Sequence, residues 1–263
     1  MIPAWYPAAG CNWRVTALTE TVCAVVPVYN NPLTLDKVVR GLQQHIGPVI
    51  IIDDGSDATT RTLVDELAAG DPSRIHVQHL PANRGKGAAV RAGLQHALKL
   101  GYSHALQVDA DGQHDLGDIP KFLAGMRATP DALILGAPLF GDDIPAIRKH
   151  GRKLTRLMIA LEAGTQKLPD AMCGFRLYPV AATCALRTLC ARMCFDPEIL
   201  IRAYWAGIPI QSVPTRVRYL SAGEGGVSHF RGVHDNLLNI ALHTWLTLQA
   251  PLRWLLRPKT RKA

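Results

Sequence analysis

Four apolar stretches of this chain end abruptly in a polar cluster, and a helix-spaced pattern follows each one. That alternation constrains the fold more than any other feature. "TVCAVVPVY" (21–29) runs into "NN", "PVIIID" (48–53) into "DGSD", "RIHVQHL" (74–80) into "PANRGKG", and "HALQVD" (104–109) into "ADGQH". Continuous apolar runs of this length fit strands buried on both faces. The third run is less apolar and belongs nearer an edge. Between and after them, 33–45, 58–70, 87–101 and 115–128 carry apolar residues at helical spacing, such as Leu35, Val38, Val39 and Leu42. "DALILGA" (131–137) fits a fifth strand. Strands alternating with helices imply an α/β fold with a mostly parallel central sheet and helices on both faces. Ligands of such sheets bind beyond the carboxyl ends of the strands, so the polar clusters are expected to share one rim.

After residue 137 the alternation breaks. The stretch 144–164 predicts a helix with Leu154, Leu157, Met158 and Leu161 on one face and Arg148, Arg152 and Arg156 on another. "DAMCGFRLYP" (170–179) reads as a tight turn entering a short strand, 180–193 and 196–207 as helices, and 209–220 as a strand. The glycine-rich segment 221–232 is expected to be mobile. Residues 1–20 lack the basic start and unbroken apolar run of a signal peptide and read as a cytosolic leader of little structure.

Charge narrows the partners. The 263 residues carry a formal charge of +8, which points to an anionic partner. No basic stretch interleaved with aromatics marks a base-stacking surface, so nucleic acid is set aside. The six cysteines form neither a CxxC pair nor a zinc-ligand spacing and are expected as reduced thiols, mostly in the core.

The chemistry is concentrated at the strand ends. Asp109 and Asp111 stand two apart on an extended segment, so their side chains point the same way. Two carboxylates aimed at one spot repel unless a cation sits between them. A site of one or two carboxylates completed by phosphate oxygens suits Mg²⁺ or Mn²⁺. Gln113 continues the spacing and offers another ligand oxygen. A solvated Asp-Gly turn is the plainer alternative. Asp53 and Asp54 end the second strand, where they suit hydrogen bonds from a nucleobase or ribose; Ser56 or Asp57 suits a helix cap instead. "NRGKG" satisfies neither the phosphate-loop pattern nor the dinucleotide fingerprint. It leaves Lys86 flanked by glycines at a helix N-terminus, a fair anion site.

The ordered set "VPVYN" (26–30), "DDGSD" (53–57), "NRGKG" (83–87) and "DADGQH" (109–114) resembles the family 2 glycosyltransferases. "DAMCGFRLYP" resembles the D-x-x-[SC]-G-F-R turn of the subgroup containing dolichyl- and polyprenyl-phosphate sugar transferases. The similarity spans about residues 22 to 218. It implies a GT-A nucleotide-sugar-binding fold over 21–232; the residue pattern beyond it predicts a C-terminal amphipathic helix and basic tail over 233–263. The resemblance further implies an inverting transfer of a sugar from a nucleoside-diphosphate sugar to a lipid-linked or envelope-related acceptor. On the resemblance, Asp109, Asp111 and Gln113 hold a divalent cation against the donor diphosphate. Pro27, Tyr29, Asn30, Asp53 and Asp54 line the nucleoside pocket; Lys86, Ala110 and Arg218 lie along the nucleotide sugar. Asp170, Gly174 and Arg176 match the turn bordering sugar and acceptor.

Arginines near the diphosphate would stabilise charge growing on the leaving group, and Arg176, Arg218 and "SHFR" (228–231) are the candidates. A hydroxyl acceptor needs a base. Glu198 is the preferred candidate and Asp196 the next, although Asp196 with Pro197 also reads as a helix start. An ionised lipid phosphate needs no base. "NLLNIALHTWLTLQAPL" (236–252) has no Asp, Glu, Lys or Arg yet is too short and interrupted to span a bilayer. With Trp245, Trp254 and the basic tail it suits a helix at the anionic inner face of a membrane; packing on the domain or on a twin subunit is the other reading. A sugar-phosphate nucleotidyltransferase lacks its expected N-terminal G-x-G-[TS]-R loop here. A non-catalytic nucleotide or headgroup binder has no need of a base.

Overall fold

The computed structural model describes residues 21–139, 146–218 and 232–256. Residues 1–20, expected to be a leader, the 221–231 part of the glycine-rich segment, including "SHFR", and the residues from 257 lie outside them. Seven strands form one sheet: β1 (Val22–Val28), β2 (Val49–Asp53), β3 (Ile75–His79), β4 (His104–Gln107), β5 (Leu133–Leu139), β6 (Arg176–Pro179) and β7 (Ile210–Arg216), in the order β3-β2-β1-β4-β6-β5-β7. β3 lies at an edge, as its weaker apolarity predicts. All neighbours pair parallel except β6, which runs antiparallel to both β4 and β5.

Helices α1 (Pro32–Gln43), α2 (Ala58–Gly70), α3 (Lys86–Lys99) and α4 (Ile119–Ala128) are the crossovers of the parallel part. They divide the core into two apolar layers, one on each face of the sheet. Val25, Ile50, Ile52 and Leu94 lie in one layer; Val26, Ile51, Leu35 and Phe122 lie in the other. Adjacent strand residues thus point to opposite, equally buried faces. After α3 the chain returns to β4 on the far side of β1. The β1/β4 boundary is therefore the point at which strand order reverses and a crevice opens.

The second half supplies α5 (Ala146–Ala163), α6 (Val180–Cys184), α7 (Phe195–Trp205) and α8 (Gly232–Leu256). Two expectations need correction. The helix expected over 180–193 stops at Cys184, because groups distant in sequence claim the following backbone. Glu198 accepts from the N–H of Leu189 and Cys190, and Arg91 Nη1 donates to the Cys190 carbonyl at 2.7 Å. The helix expected over 115–128 is split. Asp115 Oδ1 accepts from Gly117 N and closes a 3-10 turn over Leu116–Asp118 before α4 begins.

Candidate active site

The polar clusters do share one rim. β1 and β2 end in register, Val28 opposite Asp53, and the turns beyond them are stapled together. Asn30, whose φ of 50° is left-handed, donates its N–H to Ser56 Oγ and accepts from Asp57 N through Oδ1 at 2.8 Å. Asp57 caps α2 by accepting from Thr60 N at 2.9 Å. Pro27 and Tyr29 stand half-buried beside this staple.

Asp53 and Asp54, expected as acceptors facing a nucleobase or ribose, already have partners within the chain. Both side chains are buried and committed to the chain's own donors. Asp53 binds Ser56 N and the His79 ring; burial opposes its ionisation, but His79 and Ser56 outweigh burial and hold its carboxyl below the usual range. Asp54 accepts from Arg84 N at 2.8 Å, Gly85 N at 2.7 Å and Asn83 Nδ2, while burial pushes its pKa up. Their role is to build the wall: Asp54 pulls the 83–85 turn onto the end of β2. Gly85 completes that turn at φ 98°, and a Cβ there would stand 2.7 Å from the Ala191 carbonyl.

The turn delivers Lys86, first residue of α3, into a cluster of carboxylates. Its ammonium lies 2.9 Å from Asp109 Oδ2 and 3.1 Å from Asp196 Oδ2. Burial disfavours the charged lysine, but the two carboxylates prevail and raise its pKa. The expected anion-binding lysine is thus, in this structure, the cation that joins β4 to α7. Burial likewise opposes ionisation of Asp109, yet Lys86 and His114 hold its carboxyl far below the ordinary range.

Asp111 behaves in the opposite way. Burial first, and then the charge of Asp109, push its carboxyl up. Ala110 between them is buried, and its carbonyl accepts from Thr34 Oγ1 at 2.6 Å, which fixes the turn. Gln113 donates its N–H to Asp111 Oδ1 and accepts at its carbonyl from Arg218 N at 2.9 Å, which ties the exposed Arg218 to the same turn. Among the described residues no three carboxylate, imidazole or thiol groups form a ready-made metal site. The pair Asp109/Asp111 nevertheless fits a divalent cation. Asp111 is short of positive charge, and Mg²⁺ and Mn²⁺ normally take several ligands from water and substrate phosphate.

The turn 170–175 closes the other side. Asp170 accepts from Met172 N at 2.7 Å and pairs with Arg152 Nη1 of α5. Gly174 packs so closely that a Cβ would lie 2.2 Å from Asp109 Oδ2 and 2.6 Å from Lys86 Nζ. Arg176 corrects the expectation of a leaving-group partner. Its fully buried guanidinium donates to the carbonyls of Cys173, Ala171 and Asp196 at 2.6–2.8 Å, so it positions the turn and the start of α7.

The two base candidates part company. Asp196 enters the cluster through Lys86, and its Oδ1 is buried without a hydrogen-bond partner, 3.9 Å from Arg176 Nη2. Glu198, preferred from the sequence, is fully buried on the other side of α7. It binds Leu189 N, Cys190 N and Arg202 Nε, which makes it an anchor for the 185–194 segment.

Sequence reasoning assigned no role to His114, although it stands at the end of "DADGQH". Its Nε2 is 3.8 Å from Asp109 Oδ2, its ring lies against Phe175, and its backbone bridges to Val217. Gln107 and Tyr178 were also missed. Tyr178 donates to Gln107 Oε1 at 2.8 Å, and Gln107 Nε2 reaches toward Asp109 Oδ1 at 3.5 Å. The only sequence signal for either was a polar residue inside a buried strand.

The model of the family described as "Glycosyl transferase family 2" matches residues 23–185, a span that includes the β1, β2 and β4 ends, Lys86 and the 170–175 turn. This chain belongs to glycosyltransferase family 2. Within the family it is similar to a polyprenol monophosphomannose synthase of Mycolicibacterium smegmatis, 30% identical over 227 residues, covering 81% of this chain and 82% of that one. It is also similar to a dolichyl-phosphate beta-glucosyltransferase of Trichomonas vaginalis, 27% identical over 84% of this chain and 73% of that one. Among solved structures, glucosyl-3-phosphoglycerate synthase from Mycobacterium tuberculosis, crystallised with Mn²⁺, uridine diphosphate and phosphoglyceric acid, has a TM-score of 0.61. That alignment covers 93% of this chain and 81% of that one at 18% identity, which shows the GT-A fold. The family 2 assignment makes the chain a sugar-transferring enzyme and displaces the nucleotidyltransferase and the non-catalytic binder.

Proposed function

We propose that this glycosyltransferase takes a sugar from a nucleoside-diphosphate donor and passes it, with inversion, to the phosphate of a polyprenyl lipid at a membrane surface. The observation that carries the reading is the Asp109/Asp111 pair at the strand-order reversal, with Lys86 and Asp196 beside it. The relatives' names, which join a sugar to a polyprenyl or dolichyl phosphate, support the acceptor.

Asp109 and Asp111, with Gln113 beside them, would hold Mg²⁺ or Mn²⁺. The ion's chemistry there is to neutralise the donor diphosphate and ease its departure. The β1 and β2 turns, pinned by Asn30, Asp53 and Asp54, wall the nucleoside side with Pro27 and Tyr29. Lys86 keeps the carboxylates of Asp109 and Asp196 converged so that both face the sugar's anomeric carbon. Arg176 fixes the turn of Asp170 and Gly174, which borders the acceptor. Arg218, tied to Gln113, reaches the diphosphate from the exposed side. A phosphate acceptor arrives ionised, so Asp196 takes no proton from it and instead accepts from a hydroxyl of the sugar. With a hydroxyl acceptor Asp196 would instead be the base.

The test offers the purified protein UDP-, GDP- and dTDP-sugars with Mn²⁺, and either a polyprenyl phosphate or the corresponding alcohol. Sugar should appear on the phosphate alone, and Asp111→Ala should remove it. Transfer to the alcohol would transfer the base role to Asp196. Undiminished metal-dependent transfer by Asp111→Ala would move the site elsewhere.

A further inference from the structure

A line of buried polar side chains crosses the sheet at the junction of β4 and β6. Gln107, the last residue of β4, stands opposite Arg176, and Ala105 stands opposite Tyr178. Alternation along both strands puts Gln107, Arg176 and Tyr178 on one face of the sheet. Tyr178 is diagonal to Gln107 there, close enough for long side chains to meet. All three residues are completely shielded from solvent. An amide, a phenol and a guanidinium in such a place cost stability unless each finds a partner. Apolar side chains of the same shape would fill the layer without that demand.

The partners give the line a direction. Arginine has donors only, and the Arg176 guanidinium donates to the Tyr178 oxygen. Burial raises the pKa of Tyr178, so the phenol keeps its proton. That proton goes to Gln107 Oε1, 2.8 Å away. With its oxygen so occupied, the Gln107 amide turns Nε2 the other way, toward Asp109 Oδ1 at 3.5 Å. The reverse orientation would set an amide oxygen against a carboxylate oxygen. Asp109 is thus held through both of its oxygens: Lys86 donates to Oδ2 at 2.9 Å, and Gln107 faces Oδ1. The far end of the line is fixed as well, because Arg176 also binds the carbonyls of Ala171 and Cys173 in the 170–175 turn.

We infer that Gln107 and Tyr178 are positioning residues for the divalent cation: they carry the fixed direction of Arg176 across the sheet and set the angle at which Asp109 presents its carboxylate beside Asp111. The inference rests on the reading that Asp109 and Asp111 hold that cation. Both residues act through Asp109. Removing the hydrogen-bond partners of a ligating carboxylate typically weakens metal binding about 10–100-fold. Lys86 stays on Oδ2 when this line is broken, so the lower end of that range applies.

The experiment measures Mn²⁺ binding to the full chain through the electron paramagnetic resonance signal of the free ion, beside urea unfolding in chelator. Tyr178→Phe and Gln107→Met should each weaken Mn²⁺ binding about ten-fold. The double variant should bind no more weakly than either single one, because both break the same line. Stability should follow another course. Each single variant leaves a buried polar group without its partner and lowers the urea midpoint, whereas the double variant removes the pair and recovers most of the loss. If the pair were merely structural, Mn²⁺ affinity would return with the midpoint in the double variant. That result, or single variants that bind Mn²⁺ as tightly as the wild type, overturns the proposal. Losses that multiply in the double variant overturn it too, since two independent effects on Asp109 need no line between them. A wild type that binds no Mn²⁺, or Asp111→Ala that binds it equally well, sinks the cation reading and the inference with it. Loss of binding in Asp111→Ala with none in Tyr178→Phe sinks the inference alone.

Discussion

Replacing Lys86 with methionine keeps the length of the side chain and removes its charge from between two carboxylates. In the native cluster that ammonium sits 2.9 Å from Asp109 and 3.1 Å from Asp196, and the three side chains are 15%, 24% and 7% exposed. Breaking a buried ion pair while leaving its partner charged costs about 3–5 kcal/mol. Here two anions are left facing each other, so the upper part of that range applies. Against a total stability of about 5–15 kcal/mol, K86M should lose a substantial part of its stability when metal is chelated. A divalent cation that binds only the folded chain restores about 2.7 kcal/mol at a hundred times its dissociation constant. It should help K86M more than the wild type, because the vacated position welcomes positive charge. Urea unfolding followed by tryptophan fluorescence, with chelator and with Mn²⁺, measures both quantities. Adding Asp109→Asn to K86M should recover stability in chelator and abolish the Mn²⁺ response. A loss below about 1 kcal/mol in chelator, or an equal Mn²⁺ gain in both proteins, would refute the view of Lys86 as the cluster's resident cation.

Other substitutions probe single contacts. Gly174→Ala should lower metal affinity and transfer rate about ten-fold or more, because its Cβ must drive Asp109 and Lys86 apart; calorimetric titration with Mn²⁺ checks it. Asp57→Ala should cost about 1 kcal/mol through loss of the α2 cap, read as a lower urea midpoint. The carboxyl of Glu162 is raised above its ordinary value of 4.5, first by burial, with His243 pulling the other way. The folded state therefore holds that proton more tightly than the unfolded one. Glu162's contribution is fully present below 4.5 and is lost as pH rises through the raised value. Glu162→Gln does not titrate, so its stability relative to wild type should improve as pH rises above 4.5 through the raised value. A flat difference across that range would show that the buried carboxyl is not perturbed.

The parallel half of the fold was legible because doubly buried strands such as β1 and β2 are continuous apolar runs that no surface segment imitates. The second half was less so. The 180–193 stretch has a helical composition, and what ends the helix at Cys184 is a carboxylate on α7 and a guanidinium on α3, neither encoded locally. Asp109 and Asp111 stood out by their two-residue spacing on an expected extended segment, whereas β4 ends at Gln107 and the pair lies in the turn beyond it. Asp196 and Glu198 were not separable, since neighbours two apart on a helix point about 200° from each other and sequence does not say which side meets the strand ends. Arg176 was visible as a residue of importance. Its full burial among carbonyls, which makes it a positioning group, depends on the tertiary course of the 170–175 turn.

Strand β6 carries a further consequence. Because it runs against β4, with Arg176 opposite Gln107, the residues that precede it hang over the same edge toward which β4 delivers its aspartates. One hydrogen-bonded ladder therefore sets the gap between the turn that carries Asp109 and Asp111 and the 170–175 turn. Slipping β6 by a single residue would turn Arg176 and Tyr178 to the opposite face and change that gap by about 3.3 Å, more than a reacting pair of atoms tolerates. Variation in acceptor choice is then free to accumulate within the turn at constant length, whereas insertions there are expected to be lethal to transfer even when the domain still folds.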